Sequence, residues 1–158
     1  GQVYEYMQTK ALLQGFETSI TCNVQKSVQL LVGAEYVYAV NISRSSALPF
    51  TPPATLQSEI LYRLKDAKYF TKSSIRMECV NVAKQKYTVP NELQTPSYSL
   101  LHAKAQTSIK ISKHSITTML QIKNLLNCTY YNHISFYRRL RIPEAGRSIE
   151  IMVQVPLK

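Results

Sequence analysis

The segment Ala54-Thr55-Leu56-Gln57-Ser58-Glu59-Ile60-Leu61-Tyr62-Arg63-Leu64-Lys65 decides the fold. Ala54, Leu56, Ser58, Ile60, Tyr62 and Leu64 hold one parity, and all but Ser58 are apolar or aromatic. Thr55, Gln57, Glu59, Leu61, Arg63 and Lys65 hold the other, and all but Leu61 are polar. Successive side chains of a strand point to opposite faces, so the pattern predicts a strand with one oily face and one polar face. A helix would also gather Leu56, Ile60, Leu61 and Leu64, but no convincing cap precedes them and the parity match is more complete. The same reasoning favours strand over helix at Met119, Ile122, Leu125 and Leu126.

The period recurs along the chain. Leu30, Val32, Ala34, Tyr36, Tyr38 and Val40 share a parity, as do Ile20, Cys22 and Val24, then Ile75, Met77 and Cys79. Leu101, Ala103, Ala105, Thr107 and Ile109 form another such set, followed by Ile116, Thr118, Leu120 and Ile122, and by Ile149, Ile151, Val153 and Val155. Seven strands are predicted, near residues 11–24, 28–42, 53–65, 69–85, 98–111, 115–125 and 147–157. Their connections alternate in length. Gln25 to Ser27, Lys65 to Lys68 and Ser112 to His114 are short, whereas Ser43 to Pro52, Lys86 to Ser97 and Cys128 to Gly146 are long. Tight turns at one end and long loops at the other are the layout of a transmembrane β-barrel, and a soluble sandwich is not expected to sort its loops this way. The strands also approach the roughly 9–11 residues that a tilted membrane-spanning strand needs. Tyr36, Tyr38, Tyr62, Tyr69 and Tyr98, near strand ends, suit interfacial girdles; a sandwich core is the alternative place for them.

Composition narrows the choice. The 158 residues carry 19 Lys and Arg against 9 Asp and Glu, a net charge of +10, with 45% hydrophobic residues. That is too apolar for a disordered tail. No run of 18 uncharged apolar residues exists, which excludes a membrane-spanning helix. The chain opens Gly1-Gln2-Val3-Tyr4 without Met or a basic leader, so a removed leader or an excerpt of a longer chain is expected. Cys22, Cys79 and Cys128 are odd in number and far apart, and His102, His114 and His133 lack ligand spacing, so neither a disulfide framework nor a metal site is expected.

The stretch Asn124-Leu125-Leu126-Asn127-Cys128-Thr129-Tyr130-Tyr131-Asn132-His133-Ile134-Ser135 resembles the N-L-F-N-x-x-Y-x-x-H-L-S signature of TonB-dependent outer-membrane receptors, with Leu126 in place of Phe. Ile142-Pro143-Glu144-Ala145-Gly146-Arg147 resembles the P-G-R start of their last strand. Upstream, Leu48-Pro49-Phe50-Thr51-Pro52-Pro53, Ala83-Lys84-Gln85, Asn91-Glu92 and Thr95-Pro96-Ser97-Tyr98 resemble further segments of the family, with Ser97 in place of Gly. Gly15-Phe16-Glu17 resembles their G-F-E strand, so the matches run in family order over nearly all of 11–158.

The resemblance implies an all-β fold: an antiparallel transmembrane β-barrel segment, about seven C-terminal strands of a barrel of about 22 that encloses a plug. Residues 1–158 would be the C-terminal part of the receptor barrel, with plug and N-terminal strands absent and the C-terminus on the periplasmic side of the cell outer membrane. The implied function is TonB-coupled uptake of a scarce ligand such as a ferric siderophore, haem, cobalamin or another metal chelate. The implied partners are the TonB complex, reached through the missing plug, the nutrient ligand, outer-membrane lipid and lipopolysaccharide. No cofactor is implied. No nucleophile, base and orienting group stand together, so the chain is not expected to be an enzyme.

Glu35, Glu59, Arg63, Lys72, Arg76, Glu78, Lys104 and Lys110 would form a polar wall, either lining a hydrated passage or bonding to the plug. Arg138, Arg139 and Arg141, in the longest loop, suit an anionic ligand or lipopolysaccharide phosphates, with a solvated loop as the other reading. Glu59, Arg63, Arg76 and Glu78 join them as candidate ligand contacts. Two other function classes remain at this point: a soluble basic β-protein that binds nucleic acid, and a pore or adhesin barrel. Against nucleic acid, the basic residues form no stripe interleaved with exposed aromatics.

Overall fold

The computed structural model describes residues 8–111 and 114–156. The predicted turn at Ser112 and Lys113, the chain opening at Gly1 to Tyr4, and the terminal Leu157 and Lys158 lie outside them. Seven long strands form one antiparallel meander: β1 (Ala11–Gln25), β2 (Val28–Asn41), β4 (Thr55–Arg63), β5 (Phe70–Val82), β6 (Tyr98–Ile111), β7 (His114–Lys123) and β8 (Ser148–Gln154). A two-residue strand, β3 (Ser46–Ala47), folds back on β2 within the first long connection. Each long strand pairs with its chain neighbours, and the sheet is open, with β1 and β8 at its two edges.

Register converts the sequence parity into two surfaces. Cys22, Leu30, Ile60, Met77, Ala103, Ile122 and Ile149 stand directly opposite one another in turn, giving an apolar row across all seven long strands. One residue along, Asn23, Gln29, Leu61, Arg76, Lys104, Gln121 and Glu150 make a mostly polar row on the other face. Burial runs opposite to that of a water-soluble domain. The buried apolar side chains, Ala39, Leu61, Val82 and Leu100, all lie on the polar face, as they would in a sheet that curls toward it. On the apolar face Ile20 is 70% exposed and Ile151 75%. The best-buried polar side chains, His133, Thr95, Arg138 and Asn124, belong to the long connections. Water does not favour a broad greasy exterior around a polar concavity, whereas hydrocarbon does.

Several strands are shorter than their pattern, each for a local reason. β4 starts at Thr55 because Pro52 and Pro53 cannot donate to a ladder. β5 stops at Val82, leaving only an isolated bridge between Gln85 and Thr95. β7 stops where Asn124 turns left-handed at φ 50°. In β5 a bulge between Thr71 and Ser74 sets Lys72 and Ser73 against one residue of β6, with Lys72 at φ 52°. Lys72 therefore has no ladder partner, and register does not assign it to either face. Tyr98 also departs from expectation. It pairs with Val82 on the polar face and packs on Tyr130, with ring centroids 4.6 Å apart, so it joins no girdle on the apolar face. Neither 54–65 nor 115–125 is helical.

The two faces predict opposite responses to charge. Ile60→Arg, in mid-strand on the apolar face, should destabilise the folded protein in lipid by about 2–4 kcal/mol. Gln57→Arg, beside Glu78 on the polar face, should change stability by no more than about 0.5 kcal/mol. Urea unfolding in lipid vesicles, followed by electrophoretic mobility, measures both.

Candidate functional site

The long connections, 42–54, 83–97 and 124–147, meet at one end of the sheet. The last is folded by its own asparagines. Asn124 is buried; its side-chain oxygen accepts the Cys128 amide at 2.8 Å, and its Nδ2 donates to the Cys128 carbonyl at 2.9 Å. The backbone amide of Asn124 donates to Nδ1 of His102 at 3.1 Å, fastening the turn to β6. Asn127, left-handed at φ 54°, accepts the Arg147 amide on Oδ1 at 2.9 Å, which ties the start of the loop to its end. A Cβ on Gly146 would lie 2.8 Å from that oxygen, so a larger residue here would push the Asn127 side chain off its bond to Arg147. The paired asparagines and the glycine–arginine step, twenty residues apart, are thus one joint.

A second joint links all three connections. The Glu92 carboxylate accepts the Phe50 amide (2.9 Å) from the first connection, and the Val89 amide (3.1 Å) from its own. From the third it accepts Nη2 of Arg138 (3.1 Å) and lies 3.4 Å from Nε2 of His133. Arg138 is 3% exposed and also donates through Nη1 to the Leu93 carbonyl at 2.7 Å. Its Nε is buried without a hydrogen-bond partner, a cost that the other contacts outweigh. His133 is 1% exposed, and its Nδ1 is 3.0 Å from the Thr95 hydroxyl and 2.8 Å from Nη1 of Arg138. Nη1 of Arg138 is also 3.2 Å from Nε2, so the guanidinium, which offers only donors, lies against both ring nitrogens and suits a neutral ring with one bare nitrogen. Burial pushes the Glu92 carboxyl up, but the Phe50 and Val89 amides and Arg138 outweigh it and hold the group below its ordinary value. Burial and then Arg138 hold His133 below its ordinary value, against the opposing pull of Glu92.

The polar face carries its own arrangement. Glu17 stands directly opposite Glu35, and Glu59 opposite Glu78. Like charges in such register repel. Arg76 relieves Glu59 at 3.1 Å, and Gln57 donates to Glu78 at 2.6 Å. The side chains of Glu17 and Glu35 make no hydrogen bond or ion pair among the described residues. Beside them Gly33 opens a groove of about 220 Å³ lined also by Ser19, Thr55 and Gln57.

Of the predicted contacts, Glu59, Arg63, Arg76 and Glu78 share the polar face with Glu35, Lys104 and Lys110. Arg63 reaches Gln29 at 3.3 Å. The arginine run is divided. Arg138 is inside and spent on Glu92, Arg139 stacks on the exposed side of Phe50 (4.8 Å), and Arg141 is exposed as the left-handed cap of a short 3-10 helix, Phe136–Leu140. Sequence reasoning did not single out Glu92, Thr95 or His133 as a cluster, nor Glu17 as half of an acidic pair. The quoted family segments contain all four, which was the available signal. No group of three or more His, Cys, Asp and Glu able to hold a metal is found among the described residues.

Fold and burial together define an antiparallel sheet with its oily side out, the kind from which membrane β-barrels are built. No family model matches the sequence, and no curated protein matches it. Among solved structures the chain is similar to "Copper transporter OprC", with a TM-score of 0.78 and 17% sequence identity, over 92% of this chain. It spans 23% of that transporter's chain, and the likeness is one of fold.

Breaking the buried joint should cost far more than trimming its exposed neighbour. Glu92→Gln leaves Arg138 charged and uncompensated, and should lower stability by about 3–5 kcal/mol. Arg139→Gln removes only stacking and should cost about 0.5–1 kcal/mol. Unfolding midpoints of the two variants in detergent test the difference.

Proposed function

We propose that the chain is the C-terminal part of an outer-membrane receptor barrel of the TonB-dependent kind, contributing about seven of some 22 strands to a wall around a plug. The observation that carries this reading is the apolar row from Cys22 to Ile149, whose residues stand exposed or half-buried on one face while Arg76 and Lys104 lie on the other. The two open edges fit it, because unpaired backbone groups are not tolerated in hydrocarbon and a barrel closes them. The long connections then lie outside the cell, and the C-terminus faces the periplasm. The convergence of the family-like segments on two joints, Asn127–Gly146 and Glu92–Arg138, supports the receptor reading over a pore or adhesin.

The wall's role is to hold the plug and to line the path of the cargo. The unpaired Glu17–Glu35 pair calls for a cationic group from the plug or the ligand, since two facing carboxylates in one register repel each other. Arg139 and Arg141, exposed on the long connection, suit anionic groups of a metal chelate or of lipopolysaccharide. The cargo class is a metal chelate: ferric siderophore, haem, cobalamin or, following the transporter of similar fold, a copper species. The chain binds and conducts, and carries out no catalysis. The energy comes from the TonB complex acting on the plug.

Deleting the parent gene should abolish growth on one limiting metal source at low concentration and leave growth unchanged when that nutrient is abundant. Comparing single iron, copper, haem and cobalamin sources with and without the gene measures this. An unchanged range of usable sources would overturn nutrient import.

A further inference from the structure

His133 sits where a proton has consequences. Nη1 of Arg138 lies 2.8 Å from its Nδ1 and 3.2 Å from its Nε2, an approach that suits a neutral ring with one bare nitrogen. A second ring proton would make both nitrogens donors and set one positive charge against another inside a buried joint. The charged groups facing the ring are Arg138 on its own connection and Glu92 on 83–97; the 42–54 connection offers only the Phe50 amide and ring, with Arg139 stacked beyond. Arg138 is the piece that must yield, because Glu92 attracts the imidazolium and Arg138 repels it. Once Arg138 leaves, the Leu93 carbonyl and the face of Phe50 both lose a partner, so 124–147 comes away from 83–97 and 42–54, which Glu92 and Gln85 still join to each other.

We propose that His133 is an acid-sensitive latch that holds the 124–147 connection against the other two at neutral pH and releases it when the ring takes a proton. The depressed affinity of His133 for protons supports the direction. A histidine depressed in this way stabilises the joint above its unfolded value of about 6.5 and loses that contribution as the pH falls through the lower folded value. Glu92 is depressed as well, and its loss belongs to the more acid range below about pH 4.5.

The test is hydrogen exchange, corrected for intrinsic rates, on the intact parent protein in detergent between pH 7.5 and 5. In the wild type, exchange in 124–147 should rise by up to about tenfold per pH unit as the pH falls from about 6.5 to the lower folded value and then level off, while β4 to β6 stay protected. His133→Gln should remove this acid response, and Glu92→Gln should leave 124–147 fast at every pH. A flat wild-type profile, or an acid response that survives in His133→Gln, would overturn the latch. Should His133→Gln fail to fold, the His133 ring titration followed by NMR in the wild type decides instead. Exchange must level off at the midpoint of that titration, and a mismatch sinks the proposal.

Discussion

A one-residue slip of β5 against both neighbours would bring Arg76 into the row of Ile60 and Ala103, and Met77 into the row of Glu59 and His102. That is the constraint on which the sheet rests. Side chains alternate strictly, so register and surface chemistry are one decision, and every ladder must agree with the next. The agreement holds across seven long strands, even through the bulge at Thr71 to Ser74, which absorbs one extra residue and restores phase. Ile75 thereby reaches the apolar side opposite Tyr62 and Ala105.

With the sheet's oily side turned outward, polar side chains take over the packing at the loop end. Gln85 donates to the Thr51 carbonyl at 2.8 Å, Thr95 meets His133, and Glu92 gathers donors from three connections. Backbone groups in long connections need partners, and there is too little apolar material here to build a conventional core. Arg138 shows the inversion most clearly. In the helix Phe136–Leu140 it is the buried residue, while Phe136 is 64% exposed. The helix is held by its charge.

Much of the sheet was legible because alternation is local: a pattern such as Ala54 to Lys65 states its own face and direction. Strand ends were less so. Pro53, Asn124 and Lys72 act through backbone geometry, which parity does not register. The misplaced Tyr98 has the same origin, since its neighbour Tyr130 lies 32 positions away and a strand-end tyrosine looks alike on either face. The joint of Glu92, His133 and Arg138 was legible only as scattered resemblances. Glu92 and Arg138 are 46 residues apart, and nothing in their immediate surroundings says that they meet. Arg138 reads in sequence as one of three equivalent arginines; only the fold separates it from Arg139 and Arg141.

The pairing order carries a further consequence. Among the described residues every ladder between long strands joins neighbours along the polypeptide, with no crossover and no long strand inserted between earlier ones. Such a wall is modular. A hairpin added or removed at either margin changes its circumference without rethreading what is already there, so assembly can proceed by successive annealing of hairpins, and lineages can alter bore width by duplicating or deleting one unit.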